Sequence, residues 1–325
     1  MESLLIVAVK SVVVVVALLT VFAYVMLFER KFLGFFQFRL GPNRTGPWGL
    51  MQPVADAVKL ILKEDIIPED ADRPIYHLAP IVSLFVALAA FAVVPVAPPI
   101  ELFGRTIELS ILNPNAGVLV LLATTSLGVY GLTLGGWASQ SKYALLGSLR
   151  STAQMISYEL SLGMSLVGVI LLAGSLNLYD IVEAQRPLWF VVLNPIGFVV
   201  FFISAIAELN RVPFDLPEAE TELVSGYHTE YSGIRMAMFI MAEYINMITM
   251  SSLVTLLYLG GWNGPLLPPF VWFALKVAVL IFIFYWMRAT LPRLRYDRLM
   301  NFGWKVMLPL AVLNLVGTAI AVALL

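Results

Sequence analysis

The segment ELNRVPFDLPEAETELVSGYHTEYSG holds six carboxylates, Glu208, Asp215, Glu218, Glu220, Glu222 and Glu230, more than a quarter of the 21 acids in the chain. Carboxylates clustered at low dielectric titrate as a coupled set, with some pKa values raised by burial, which is what a proton relay requires. Glu218 and Glu222 are four apart, so on a helix they repel by a few tenths of a kcal/mol unless one is protonated or a cation is near. A solvated acidic loop is the plain alternative. Against it, Pro213, Phe214, Leu216, Pro217, Leu223, Val224 and Tyr227 alternate with the acids, as in a packed and ordered connection. Three further ionisable residues, Glu159, Glu243 and Lys276, fall inside long apolar runs. A charge there costs at least about 2.5–3.5 kcal/mol, so such groups face protein or water, as functional residues or as buried ion pairs and hydrogen-bonded helix contacts.

The elements that must position these residues are membrane helices. The chain is 60% hydrophobic and 13% charged, against roughly 25% charged residues in a soluble domain. Its apolar runs predict one all-α, polytopic integral membrane domain over 1–325 with eight transmembrane helices, at about 4–28, 75–97, 115–137, 151–173, 188–208, 236–258, 267–287 and 303–324. The first run lacks a basic leader and is too long for a signal core, so it is expected to stay as an anchor. The first, third, fifth and seventh connections hold fifteen Lys and Arg, whereas the even ones hold only Arg105 and Arg186. Odd connections therefore face the cytoplasm, and both termini lie on the non-cytoplasmic side. On that topology Glu159 and Glu243 share a depth of roughly 11–12 Å from the cytoplasmic end. Lys276 lies roughly 13 Å from the opposite face, near the midplane of a core about 30 Å thick.

The chain has no cysteine, which excludes disulfides, cysteine-ligated iron–sulfur clusters and thiol chemistry. Two histidines, His77 and His228, argue against a histidine-rich metal site. A net charge of −1 gives no sign of a nucleic-acid partner. No internal repeat is visible. Asn43-Arg44-Thr45 fits a glycosylation sequon but falls on the wrong side, and Gly41 to Gly46 is no phosphate loop, because Pro47-Trp48 stands where Lys-Ser/Thr belongs.

In the first connection Gln52, Asp56, Lys59 and Lys63 recur on one helical face, while Leu50, Val54, Val58, Ile61 and Leu62 fill the rest. This predicts an amphipathic helix at the cytoplasmic interface, or a surface helix with a solvated stripe. The first span ends FERKFLG. Glu29, Arg30 and Lys31 serve either as snorkelling topology anchors or, for Arg30, as a holder of an anionic or carbonyl head group; spacing does not separate the two.

The stretches ERKFLGFFQFRLGPNRTGPWGLMQPVADAVKLILKED, SKYALLGSLRSTAQMISYEL, ELNRVPFDLPEAETELVSGYHTEYSG, GGWNGPLLPPFVWFALK and RATLPRLRYDRLMNFGWK resemble the H-subunit family of proton-pumping NADH:quinone oxidoreductases, to which mitochondrial NADH dehydrogenase subunit 1 belongs. The resemblance runs through essentially the whole chain. It implies an eight-span subunit that joins the membrane arm to the redox arm, contributes to the quinone chamber, and starts the acidic path that couples quinone reduction to pumping.

Carried over by motif, Arg30, Glu29, Asp56, Arg211 and Asp215 are the quinone-binding candidates. Glu218, Glu220, Glu222, Glu208, Glu230, Glu159 and Glu243 are the proton-coupling candidates, joined by Lys276 on its position alone. No catalytic residue, metal or cofactor is expected in the chain itself; quinone is the substrate, and FMN and iron–sulfur clusters belong to partner subunits. The implied partners are iron–sulfur and quinone-site subunits of the peripheral arm on the cytoplasmic connections, small and antiporter-like membrane subunits alongside, and lipid. The implied location is an energy-transducing membrane, a bacterial inner membrane.

Quinone is expected to arrive between the first span, the amphipathic helix and span six. Three rival readings remain: a related complex fed by hydrogenase or ferredoxin, a stand-alone secondary transporter, and a structural anchor that only docks partners. The transporter reading predicts paired broken helices in two related halves, and the sequence offers none.

Overall fold

The computed structural model describes residues 4–102, 105–215 and 225–324. Seven of its helices are long and apolar enough to cross a membrane. α1 covers Leu4–Phe36, the short α2 Gln52–Leu62 and α3 Arg73–Phe91. α4 (Gly117–Ala138) and α5 (Lys142–Ala173) follow, then three shorter helices, α6 (Leu178–Ala184), α7 (Phe190–Leu193) and α8 (Pro195–Glu208). α9 runs over Gly233–Tyr258 and α10 over Pro269–Thr290. α11 (Tyr296–Phe302) continues through a π turn at Gly303–Met307 into α12 (Leu308–Leu324).

Several boundaries depart from the hydropathy pattern, because that pattern marks the apolar length of a helix and not where its hydrogen bonds end. α1 continues eight residues beyond 28, so Glu29, Arg30 and Lys31 are helical residues rather than the start of a connection. α5 begins at Lys142 rather than 151.

The run expected at 188–208 is broken. Pro195 has no N–H to continue α7, and the Asn194 side chain caps α8 by accepting from the Gly197 N–H at 2.9 Å. Its main piece, α8, has 14 residues and rises about 21 Å, short of a core about 30 Å thick. The all-α expectation also misses a short antiparallel hairpin, β1 (Ile100–Leu102) with β2 (Arg105–Ile107), in which Ile100 pairs with Ile107.

α9 is the central helix, buried from Met247 through Tyr258 on every face. It packs on α1, α2, α3 and α10, while α5 packs on α4, α8 and α12. Tyr158, Leu162, Leu166, Phe201, Ile245 and Leu253 sit in the main apolar cluster between them. Lipid tails are as apolar as leucine, so close approach at small residues supplies much of the packing between such helices. Gly136 of α4 is such a point: a Cβ there would lie 2.6 Å from the Ala144 carbonyl of α5 and closer still to Ser148 Oγ.

Gly136→Ala is therefore expected to overpack the α4–α5 contact and destabilise the protein by about 1–3 kcal/mol. Gly163→Ala, whose Cβ would meet nothing within 4 Å, is expected to be neutral or stabilising by up to about 1 kcal/mol. Thermal midpoints of the two purified variants in the same detergent test the contrast.

Candidate functional site

Consecutive residues on a helix point about 100° apart, so Glu29 and Arg30 of α1 face different neighbours. Glu29 turns into the bundle and is 2% exposed. Its Oε1 accepts from Arg211 Nη1 at 3.3 Å and from Arg288 Nη1 of α10 in a short contact. Arg211, in the connection after α8, also places Nε 2.8 Å from Glu243 Oε1 of α9 and lies 4.4 Å over the Tyr244 ring. Arg293 Nη2 meets Asp215 Oδ2 at 2.9 Å. Burial pushes the Asp215 carboxyl above its ordinary pKa, although Arg293, Arg288 and Arg211 all pull it down. Glu29, Arg211 and Glu243 thus form a largely buried Glu–Arg–Glu network, which the half-exposed Arg288 joins at Glu29, and the half-exposed Arg293 pairs separately with the buried Asp215.

The loop that carries Arg211 is held by α5. Gln154 Nε2 donates to the Ala207 carbonyl at 2.7 Å, the Phe214 carbonyl at 2.9 Å and Asn210 Oδ1 at 3.1 Å, while Asn210 Nδ2 donates to Ser151 Oγ at 3.1 Å. Gln154 and Asn210 are functional supports that the motif reading passed over. Their signal was present: Ser151, Gln154, Tyr158, Ser161 and Ser165 recur at three- and four-residue spacing through an apolar run, and all are buried. Arg288 and Arg293 had no such signal, since a positive charge at the end of a span reads first as a topology marker.

On the other side of α1, Arg30 Nη1 donates to Asp56 Oδ2 of α2 at 2.7 Å. Gln52 Nε2 donates to Asp56 Oδ1 at 2.8 Å, and Thr45 Oγ1 to Gln52 Oε1 at 2.8 Å. Arg30, Gln52 and Asp56 face a cavity of about 300 Å³ between α1, α2 and α9. Its walls are otherwise apolar, with Leu19, Phe22, Met26, Leu60, Ile240 and Met241 among them. The three elements are those between which a ligand was expected to arrive.

A second cavity of about 50 Å³ lies inside the bundle, lined by Glu208, Glu243, Asn210, Asn246, Thr125 and Thr249 among others. One water needs about 10–15 Å³ of such volume, so a short file of waters fits. Glu208 Oε2 is buried and, among the described residues, accepts no hydrogen bond. Glu159 accepts from Ser126 Oγ in a short contact, and its charge reaches Glu208. The structure therefore brings together Glu159, Glu208 and Glu243, and ties Glu243 through Arg211 to Glu29.

Glu230 lies apart from that cavity. Its backbone carbonyl accepts from Tyr76 Oη at 2.6 Å, beside the parallel stack of Tyr76 on Tyr231 at 4.2 Å. Arg235 Nη1 pairs nearby with Asp65 Oδ1 at 3.2 Å. His228 is buried against Tyr227 and Phe239, and burial lowers its pKa to about 3. Lys276 of α10 is not among the acids; its Nζ donates to the carbonyls of Leu259, Gly261 and Asn263. Glu218, Glu220 and Glu222 lie outside the described residues.

A helical bundle with seven apolar helices long enough to cross a membrane, an apolar cavity on one side of its first helix and a buried Glu–Arg–Glu network on the other defines a multi-pass membrane protein with titratable groups in its interior. The chain belongs to the NADH dehydrogenase family, whose sequence profile matches residues 9–319. It is 55% identical over 300 residues to an H subunit of the NADH-quinone oxidoreductase of Geobacter metallireducens, covering 92% of this chain and 91% of that protein. It is 52% identical over 326 residues to an H subunit of the NADH-quinone oxidoreductase of Symbiobacterium thermophilum, covering 99% and 98%. The corresponding H subunit from Deinococcus deserti is 54% identical over 323 residues, covering 96% and 82%.

Arg211→Met takes the guanidinium from Glu243 and leaves the buried Glu29 with Arg288 alone, and is expected to destabilise the protein by about 3–5 kcal/mol. Arg211→Lys is not expected to restore it, because a single ammonium lacks the guanidinium fork that reaches both acids; folded yield and thermal midpoint read both effects. The pH dependence of His228 has a defined sign. Its folded pKa is depressed, so its contribution is complete above the unfolded value near 6.5 and is lost as pH falls toward 3. His228→Gln should therefore show a shallower fall in thermal midpoint between pH 6.5 and 4, the difference approaching about 1.4 kcal/mol per pH unit.

Proposed function

We propose that this chain is the H-type membrane subunit of a proton-translocating NADH:quinone oxidoreductase, in which it forms part of the quinone chamber and couples quinone reduction to proton movement. The named relatives and the family support the assignment to that complex. The coupling role rests on one observation: Glu243 belongs to two systems at once, paired to Arg211 in the network around Glu29 and facing the small inner cavity with Glu208.

In this reading the apolar cavity between α1, α2 and α9 admits the quinone tail. Arg30, Glu29, Asp56, Arg211 and Asp215 flank the path of its head group. Two electrons come from an iron–sulfur cluster in a partner subunit of the peripheral arm, which also holds the FMN, and two protons complete the quinol. A unit charge that forms on the quinone shifts a carboxylate about 10 Å away by on the order of 2 kcal/mol at an effective dielectric of about 20. Such a shift moves a proton through Glu218, Glu220, Glu222, Glu208, Glu159 and Glu243 toward antiporter-like neighbours, with Glu230 to one side of that line. Lys276 stands outside this line, because backbone carbonyls accept all three of its hydrogen bonds.

The topology completes the reading. α7 and α8 together make the fifth of eight spans, α2 lies at the cytoplasmic interface, and both termini are on the non-cytoplasmic side of a bacterial inner membrane. Val54, Val58 and Leu62 of α2 are exposed, as an interfacial helix against lipid or a partner requires. Docking of the peripheral arm on the odd connections agrees with their excess of Lys and Arg.

The assembly extracted with this chain in mild detergent is expected to reduce quinone with NADH and to stop with a quinone-site inhibitor. Activity with hydrogen or reduced ferredoxin in place of NADH would keep the coupling and change the donor. Within the active assembly, Glu243→Gln should lower turnover and pumping together, and full pumping in that variant would remove Glu243 from the path.

A further inference from the structure

Lys276 is a buried charge within α10. An ammonium has three N–H donors, and here all three are used, at 2.7 Å on Leu259, 2.8 Å on Gly261 and 2.8 Å on Asn263. All three acceptors are backbone carbonyls of the stretch that ends α9, where unpaired carbonyls and the helix dipole favour a cation. The Trp189 ring lies 4.5 Å from Nζ and the Trp272 ring 5.9 Å, which adds cation–π attraction on the remaining sides.

The cage is itself fixed by neighbours. Gly260 and Gly261 hold positive φ values of 70° and 54°, and a Cβ on Gly260 would lie 2.7 Å from Trp189. Gln185 Oε1 accepts from the Gly260 N–H at 2.9 Å, and Asn263 Nδ2 donates to the Val182 carbonyl at 3.2 Å.

We propose that Lys276 is a tethered cation that fills a backbone carbonyl cage, fixes the C-terminal end of α9, and takes no part in proton transfer. Carbonyl oxygens do not take up a proton at physiological pH, so the groups that hold the ammonium offer its protons nowhere to go. What the site recognises is a primary ammonium, supplied by the chain itself. The consequence for the rest of the molecule is positional: α9 carries Glu243 about 24 Å from this anchor along its axis, and the anchor limits how far that helix can slide or rotate.

Two variants separate this from a relay role. Arginine is always charged and cannot cycle a proton. Lys276→Arg in the assembled complex should keep the wild-type ratio of protons pumped to NADH oxidised in membrane vesicles, whereas a reduced ratio at normal assembly overturns the proposal. Lys276→Ala removes the propylammonium portion of the side chain. Its thermal midpoint should fall by several degrees and recover on addition of propylammonium chloride but not of propanol at the same concentration. A wild-type midpoint, or no recovery with propylammonium, also overturns it. The pumping readout rests on the function proposed above and the thermal readout does not, so failure of that function alone leaves the thermal result standing.

Discussion

A charge buried among membrane helices has to find its counter-charge within the protein, and Arg211 is where this chain meets that demand. The residue is 8% exposed, and its guanidinium bridges Glu29 of α1 to Glu243 of α9 while lying on the Tyr244 ring. A lysine in its place offers one point charge where the site needs a fork. The partners are far apart in sequence, so the network closes only when α1, α9, α10 and the connection after α8 are all in position. The supports of the loop follow from the same demand. Gln154 and Ser151 on α5 hold the backbone around Asn210 so that Arg211 enters the bundle at a fixed angle.

The two faces of α1 divide the molecule into an apolar chamber and a titratable interior. Arg30 looks outward with Asp56 and Gln52 onto a cavity of about 300 Å³, and Glu29 looks inward to Arg211 and Arg288. One turn of helix therefore keeps the apolar cavity close to the acids of the interior.

α9 is held along its whole length. Arg235 near its start pairs with Asp65 beyond α2, Glu243 in its first half pairs with Arg211, and the carbonyls at its end receive Lys276. The helix that forms a wall of both cavities is thus restrained by three contacts of charged side chains to three different parts of the fold. A helix held at three points keeps its side chains at fixed positions relative to those three parts of the fold.

Composition and apolar periodicity by themselves determined the membrane class, the helical architecture, the amphipathic element at 52–62 and the acids worth attention, because transfer into lipid constrains every residue of a span locally. The distinctive polar motifs were enough to indicate the family. Tertiary structure alone decided which charges pair. Arg288 and Arg293 read as topology markers and are partners of Glu29 and Asp215, Lys276 read as a companion of the acids and is enclosed by carbonyls, and Glu230 lies outside the inner cavity. It also decided that the segment at 188–208 breaks at Asn194. Hydropathy depends on what a residue costs in lipid, whereas pairing depends on the direction a side chain takes from its helix and on which distant helix stands there; the sequence lists the charges, and only the packed bundle fixes the distances between them.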